Sequence, residues 1–272
     1  MILLSGKDLS ERLYSELGTD NSSKKLVVIT VGDDPASKVY VRNKLKACER
    51  VGMLYEHLTF SPDITISEFK DNLDKLMLDN VDLKLGIILQ LPAPQELVDV
   101  FNQIIPGPFD VDGFGDENSS LLYTGSEEPY HYPATPKGIM TLLDNYGIRI
   151  SGKHVVILGR SKIVGKPLYE MMLSRNATVT ICHSKSENLK AITRTADILV
   201  SAIGSPKLIN ETYLKDGVVI VDVGINRTEE GIVGDVNFDR VKDRCFAITP
   251  VPGGVGPMTV YTLIENTIKG GI

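Results

Sequence analysis

Few cysteines, no long apolar run and no excess of positive charge set the first limits on this chain of 272 residues. Its three cysteines, Cys48, Cys182 and Cys245, are far apart and form no Cys-x-x-Cys pair. That spacing argues against a disulfide framework and against a zinc site, and no metal is expected. No apolar stretch approaches the ~20 residues needed to span a bilayer, so no membrane partner is expected. The opening Met1-Ile-Leu-Leu-Ser-Gly-Lys-Asp8 has neither the basic region nor the apolar core of a signal peptide, and the chain is read as cytoplasmic. A formal charge of −6 is wrong for a nucleic-acid protein, whose affinity rests on a cationic surface. An acidic chain can still hold an anionic ligand through a local basic cluster. Nucleophile-elbow, zincin and Walker motifs are also missing.

What is present is a repeated α/β rhythm. Leu26 to Val31 is an apolar, β-rich run, followed by a helix-start turn at Gly32-Asp-Asp-Pro-Ala-Ser37 and a helical pattern from Ser37 to Val51. Strand patterns follow at Tyr55 to Phe60 and Leu85 to Leu91. Helical ones run from Thr65 or Ser67 to about Leu78 and from Gln95 to Ile105. From Phe109 to Pro136 the pattern is irregular, and it resumes as a helix from Pro136 to Tyr146. The second half repeats the rhythm, with strands expected at Val155–Leu158, Ala177–Cys182, Asp197–Ile203, Val218–Val223 and Phe246–Thr249. A last helix is expected over Met258–Lys269. Alternating strands and helices imply mostly parallel sheets covered on both faces.

The stretch from His154 to Pro167 reads as a strand, a break at Gly159 and a helix after Gly165. That layout aims backbone N–H groups and a helix N-terminus at a phosphate. The three-glycine fingerprint is incomplete, because Ser161 stands where the second glycine would be. After the next strand the sequence is Cys182-His-Ser-Lys-Ser-Glu187, with no acid in the first positions to accept the ribose 2′-hydroxyl of NAD. Arg160 and Lys185 would instead welcome a 2′-phosphate, so the expected cofactor is NADP. His183, at the strand end, reads as part of that cradle.

Four features of the remaining chain point to a substrate. At 100° per residue, Val41, Leu45 and Cys48 make an apolar stripe, extended by Ser37, Tyr40, Ala47 and Val51. Lys44 falls inside that arc, next to Tyr40. It either snorkels across the core edge or is a partly desolvated acid/base group. Gln90 stands at the end of an apolar strand, where ligands of open α/β sheets collect. Asp110 and Asp112 alternate onto one side of an extended segment, suited to a donor-rich heterocycle better than to a metal. The loop Pro250-Val-Pro-Gly-Gly-Val-Gly-Pro257 has little side-chain cover, as close approach of a flat ligand or a rigid hinge requires.

Several ordered stretches resemble the bifunctional methylenetetrahydrofolate dehydrogenase/methenyltetrahydrofolate cyclohydrolase (FolD) family. They are Val31-Gly-Asp-Asp-Pro-Ala-Ser37, Tyr40-Val-x-x-Lys-x-Lys-Ala47, Gln90-Leu-Pro92, Asp110-Val-Asp-Gly-Phe114 and Gly159-Arg-Ser-x-x-Val-Gly-x-Pro167. Further on come Ala177-Thr-Val-Thr-x-Cys-His-Ser184, Val221-Asp-Val-Gly-Ile-Asn-Arg227 and Thr249-Pro-Val-Pro-Gly-Gly-Val-Gly-Pro-Met-Thr259. The resemblance implies oxidation of 5,10-methylenetetrahydrofolate with NADP, then hydrolysis of the methenyl product to 10-formyltetrahydrofolate, in a cleft between two domains. It implies Lys44 as the catalytic lysine, Tyr40 stacked on the folate, Gln90 hydrogen-bonded near Lys44 and Asp112 on the pterin. Leu91, Pro252, Gly253, Gly254, Val255, Gly256 and Pro257 would complete the folate pocket. Gly159, Arg160, Ser161, His183, Ser184 and Ile225 would contact the cofactor.

The implied fold is two αβα domains with mostly parallel sheets. Residues 1–136, completed by a C-terminal helix over 257–272, would form the folate-binding catalytic domain, and 137–256 a Rossmann-like NADP-binding domain. Tetrahydrofolate derivatives are the expected small-molecule partners, and a homodimer is expected from the resemblance alone. The sequence departs from the family at Phe109, usually lysine, and Ser120, usually glycine. It also departs in Pro133-Ala-Thr-Pro136 and Leu91-Pro-Ala-Pro-Gln-Glu96. Two other readings remain open on the residues: an NADP-dependent dehydrogenase of the shikimate-dehydrogenase type, and a non-catalytic NADP-binding sensor.

Overall fold

The computed structural model describes residues 1–125, 127–229 and 231–270, apart from the side chains of Pro35 and Ala36. The chain divides into two compact units, one of residues 1–12 and 135–259, the other of residues 13–134 and 260–272. The last helix ends at Lys269, and residues 271 and 272, included in the expected helix over 257–272, lie outside the described residues. No helix among the described residues is long and apolar enough to cross a membrane.

Strands are numbered along the chain: β1 (Ile2–Leu3), β2 (Asn21–Val31), β3 (Met53–Phe60), β4 (Lys84–Leu89), β5 (His154–Leu158) and β6 (Thr178–Cys182). Then follow β7 (Ile198–Ser201), β8 (Val218–Asp222), β9 (Asn226–Thr228), β10 (Gly231–Val233) and β11 (Cys245–Ile248). The unit holding residues 13–134 has a three-stranded parallel sheet in the order β3-β2-β4. The other has a six-stranded parallel sheet in the order β1-β11-β8-β7-β5-β6, with β9 and β10 as a separate antiparallel hairpin.

The continuous apolar runs follow from burial on both faces. In the smaller sheet Val27, Ile29 and Val31 of β2 and Leu85, Ile87 and Leu89 of β4 point to one core. They pack with Phe69, Leu73 and Leu76 of the helix Ile66–Leu78, and with Leu97 and Phe101 of the helix Gln95–Ile104. Burying Phe69 alone stabilises the unit by roughly 2–3 kcal/mol. The helix Ile66–Leu78 starts on a capping box: Thr65 accepts from the Glu68 N–H, and the Glu68 carboxylate accepts from the Thr65 N–H. In the larger sheet Val156, Leu158, Leu199, Val218 and Ile220 share one face, packed by Leu189, Ile192 and Phe238.

Three stretches differ from the sequence reading. The irregular segment contains a helix, Asp116–Thr124, begun by two acids and stopped at Gly125 in the left-handed region. Only Asn118 of that helix is buried, so it carries no apolar periodicity to read. The last helix starts at Val255, so Val255, Gly256 and Pro257 are its first turn and not loop. Residues 1–12, expected with the folate-binding part, belong to the unit of the larger sheet. Ile2–Leu3 pairs with Ala247–Ile248, and the Lys7 N–H donates to the Gly253 carbonyl at 2.9 Å.

Candidate active site

In the three-stranded unit, β2 is followed by β3 on one side and β4 on the other. Such a reversal leaves a crevice beyond the carboxyl ends of the strands. Gln90 lies there, its N–H bonded to the Ile29 carbonyl at 2.8 Å. The helix Pro35–Arg50 is fixed at its start by Asp34, whose carboxylate accepts from the Ser37 N–H at 2.8 Å. Val41, Ala47, Cys48 and Val51 are buried as the stripe predicts, Leu45 is half-buried, and Tyr40 is on the surface.

Lys44 is the inward member of this helix. Its Nζ donates to Gln90 Oε1 at 2.8 Å, and Gln90 Nε2 donates to the Leu91 carbonyl at 2.8 Å. The amide is therefore oriented by its own backbone neighbour, with its acceptor turned to the amine. Burial holds the Lys44 ammonium below the usual lysine range, and the charge of Asp112 acts in the opposite sense. Burial likewise raises Asp112, with Lys44 opposing and Asp110 adding to the rise. The pair is a desolvated amine facing a carboxylate, with a neutral amide between helix and sheet to hold the amine. An amine and a carboxylate moved in this way have proton affinities closer together than in water, the arrangement suited to acid–base work.

Asp110 and Asp112 have different surroundings. Asp110 is 1% exposed and accepts from the N–H groups of Gly113 and Gly115 at 3.0 and 2.7 Å and from Asn118 Nδ2 at 3.0 Å. It closes the turn that presents Asp112. Asn118 is a residue the sequence reading missed: it also donates to the Gly107 carbonyl and accepts from the His131 N–H. The signal for it was the Asn-Ser-Ser120 departure, where the asparagine and not the third position is buried. Ser120 is exposed, and Phe109 packs against the apolar core beneath β4.

The six-stranded unit has its own reversal, between β5 and β7. Gly159 follows β5 with φ +113°, and a Cβ there would lie 2.3 Å from the Ala202 carbonyl oxygen beyond β7. Only glycine fits both demands. Ser161 does not leave the turn as open as a glycine would. Its Oγ accepts from the Val164 and Gly165 N–H groups at 3.1 and 3.4 Å, at the start of the helix Gly165–Ser174. Arg160, Ser184 and Lys185 are exposed, and the half-buried His183 accepts from the Lys185 N–H through Nδ1 at 3.1 Å. Ile225, beyond β8, is 44% exposed. This surface fits a dinucleotide with a 2′-phosphate: a close-approach glycine at the switch point, two cations, and no acid in the first positions after β6.

Pro252, Gly253, Gly254, Val255, Gly256 and Pro257 form a tight turn running into a helix N-terminus in the same unit. Gly253 has φ +103°, and a Cβ on Gly254 would lie 2.5 Å from the Pro250 carbonyl oxygen. The Leu91–Pro92 and Val251–Pro252 peptide bonds are cis.

With this geometry in place, the relatives decide the assignment. A model of the tetrahydrofolate dehydrogenase/cyclohydrolase catalytic domain matches residues 4–112. The NAD(P)-binding domain of the same family matches residues 133–271. The chain belongs to this family. It is 46% identical over 275 residues to the bifunctional protein FolD of Methanoculleus marisnigri, across 98% of this chain and 95% of the relative. The crystal structure of the bifunctional FolD enzyme of Campylobacter jejuni superposes with a TM-score of 0.94 at 43% identity, covering 99% and 98% of the two chains. The Trypanosoma brucei FolD enzyme, solved with NADP cofactor and an inhibitor, gives a TM-score of 0.89 at 31% identity, over 98% and 95%. A family likeness at this level removes the shikimate-dehydrogenase and sensor readings left open by the residues.

Proposed function

We propose that the chain oxidises 5,10-methylenetetrahydrofolate to the methenyl form with NADP and hydrolyses that product to 10-formyltetrahydrofolate, as a bifunctional enzyme of one-carbon metabolism. The observation that carries this reading is the desolvated Lys44, held by Gln90 at 2.8 Å and opposed by Asp112, in the part matched by the catalytic-domain model.

Bound NADP supplies an acceptor for the hydride leaving the methylene carbon. What the chain adds to that step is positioning and exclusion of water, the dominant contributions when no proton moves in the bond-breaking event. Gly159 lets the cofactor approach the backbone. Arg160 and Lys185 meet its 2′-phosphate, with Ser161, His183, Ser184 and Ile225 around it. Hydrolysis needs more: water adds to the cationic methenyl carbon, its oxygen gives up both protons, and the C–N5 bond breaks as one proton reaches N5 while the other leaves to solvent. Lys44 with a lowered proton affinity is suited to take the proton from water and return one at N5. Gln90 fixes the amine through its oxygen, Asp112 accepts from the pterin, and Tyr40 and Leu91 border the substrate. The formal charge of −6 argues against nucleic acid as a partner, and we take the working form to be a homodimer.

A paired assay tests the reading. Purified protein given 5,10-methylenetetrahydrofolate should reduce NADP, and NAD at least about tenfold less efficiently, as a 2′-phosphate contact of roughly 1.4 kcal/mol or more requires. It should also clear methenyltetrahydrofolate faster than buffer does. Absence of NADP reduction contradicts the proposal.

A further inference from the structure

The loops beyond β7 and β8 are tied together by one buried side chain that belongs to neither. Asp235 is fully buried and accepts five hydrogen bonds. Its Oδ2 accepts from Ser201 Oγ at 3.1 Å and from the N–H groups of Ile203 and Gly204 at 2.8 and 3.3 Å. Its Oδ1 accepts from the Ser205 N–H at 2.9 Å and from Asn226 Nδ2 at 3.1 Å. The loop Ala202–Ser205 is the one whose carbonyl packs on Gly159, and Asn226 directly follows Ile225.

A second carboxylate holds the first. Asp222, at the end of β8, accepts from the N–H groups of Asp235 and Val236 at 3.0 and 2.9 Å, and from Gly224 at 3.1 Å. The Asp222 N–H donates in turn to Thr249 Oγ1 at 2.7 Å, one residue before the Pro250–Pro257 turn. Burial pushes the Asp222 carboxyl up to about 7, and the three backbone donors work against that rise. The glycines are fitted to this arrangement: a Cβ on Gly224 would lie 2.2 Å from Asp235 Oδ1, and one on Gly234 would lie 1.9 Å from Asp222 Oδ2. No cation among the described contacts compensates the Asp235 carboxylate; its partners are all neutral donors.

We propose that Asp235, set in place by Asp222, is a positioning residue for the NADP site, fixing the Ala202–Ser205 loop against Gly159 and the Ile225–Asn226 segment beside it. A neutral polar turn would satisfy the same backbone with less cost in desolvation. What the carboxylate adds is an acceptor able to gather donors from two loops at once. The inference rests on the assignment of NADP to this surface, and it makes cofactor affinity depend on a side chain that does not touch the cofactor.

The test is Asp235→Asn in the full chain. Both oxygens now receive donors, so either orientation of the amide sets its NH₂ against an N–H or O–H group. The Kd and KM for NADP should rise about tenfold or more, with kcat for methylenetetrahydrofolate oxidation changed much less. Methenyl hydrolysis, which uses Lys44 in the other unit, should stay within about twofold of wild type. Unchanged NADP affinity overturns the proposal. So does parallel loss of hydrolysis and NADP binding, which would make the carboxylate a requirement of folding alone. If the variant does not fold, Asn226→Ala decides. It removes one of the five donors and should still weaken NADP binding measurably, and an unchanged Kd there overturns the proposal. A wild-type chain that fails to bind NADP at all overturns the functional reading itself, which separates the two failures.

Discussion

The two units prepare their chemistry by opposite means. In the three-stranded unit a charged side chain is drawn out of water: Lys44 donates to Gln90 and has the carboxylate of Asp112 in its field. In the six-stranded unit the residues proposed for the cofactor are mostly exposed, and order comes from beneath, through backbone N–H groups gathered on Asp235 and Asp222. The first arrangement tunes a proton affinity, and the second fixes a shape. A group that must gain and lose a proton cannot be saturated with hydrogen bonds that favour one state. A loop that must only receive a phosphate can be.

The contrast is broken most severely by Lys44→Met. Methenyl hydrolysis should fall by about 10²- to 10⁴-fold, the range of a lost general acid–base group. NADP affinity should not change, because Lys44 lies in the three-stranded unit and the residues proposed for the cofactor in the other. Folding should survive. A lysine whose folded proton affinity is lowered binds fewer protons than it does unfolded, so below about pH 10 its burial costs stability. Removing it relieves that cost, and a Tm well below wild type would contradict the placement of Lys44.

Gly159→Ala attacks the other side. A Cβ at φ +113° and 2.3 Å from the Ala202 carbonyl must displace one of the two loops. Strain of roughly 1–3 kcal/mol at this turn should raise the KM for NADP about tenfold or more. Hydrolysis of the methenyl substrate should be spared, and equal loss of both activities would show that the separation is wrong. The smallest effect is expected from Thr65→Ala. It removes the capping box of the helix Ile66–Leu78 and should cost about 1 kcal/mol in urea unfolding, with both activities unchanged.

Much of this contrast was legible in the sequence, and the reasons are local. The apolar runs, the break at Gly159 and the acid-free stretch after Cys182 are all short-range signals. Lys44 was singled out because helical periodicity placed it among apolar neighbours, and Gln90 because it ends a buried strand. Their hydrogen bond was implied only by the family resemblance, since 46 residues separate them and no local pattern joins them. The same limit hid Asp235, whose donors come from loops about 30 residues earlier and from Asn226. It also hid the place of Ile2–Leu3, paired with a strand some 245 residues later. The helix Asp116–Thr124 was missed for a different reason. Its single buried residue, Asn118, is polar and faces the turn of Asp110, so the pattern that marks a helix is absent although its acids and its terminal glycine are present.

The central claim is that hydrolysis runs on an amine whose proton affinity is set by burial against the charge of Asp112. Its most direct test is the rate of methenyltetrahydrofolate hydrolysis against pH, corrected for the uncatalysed rate, in wild type and Asp112→Asn. The free amine is the base, so the wild-type rate should rise with pH through an inflection below the ordinary lysine value of about 10.4. The carboxylate of Asp112 raises the proton affinity of Lys44, so its removal should carry that inflection to lower pH. An inflection that stays in place or moves upward in Asp112→Asn would contradict the account.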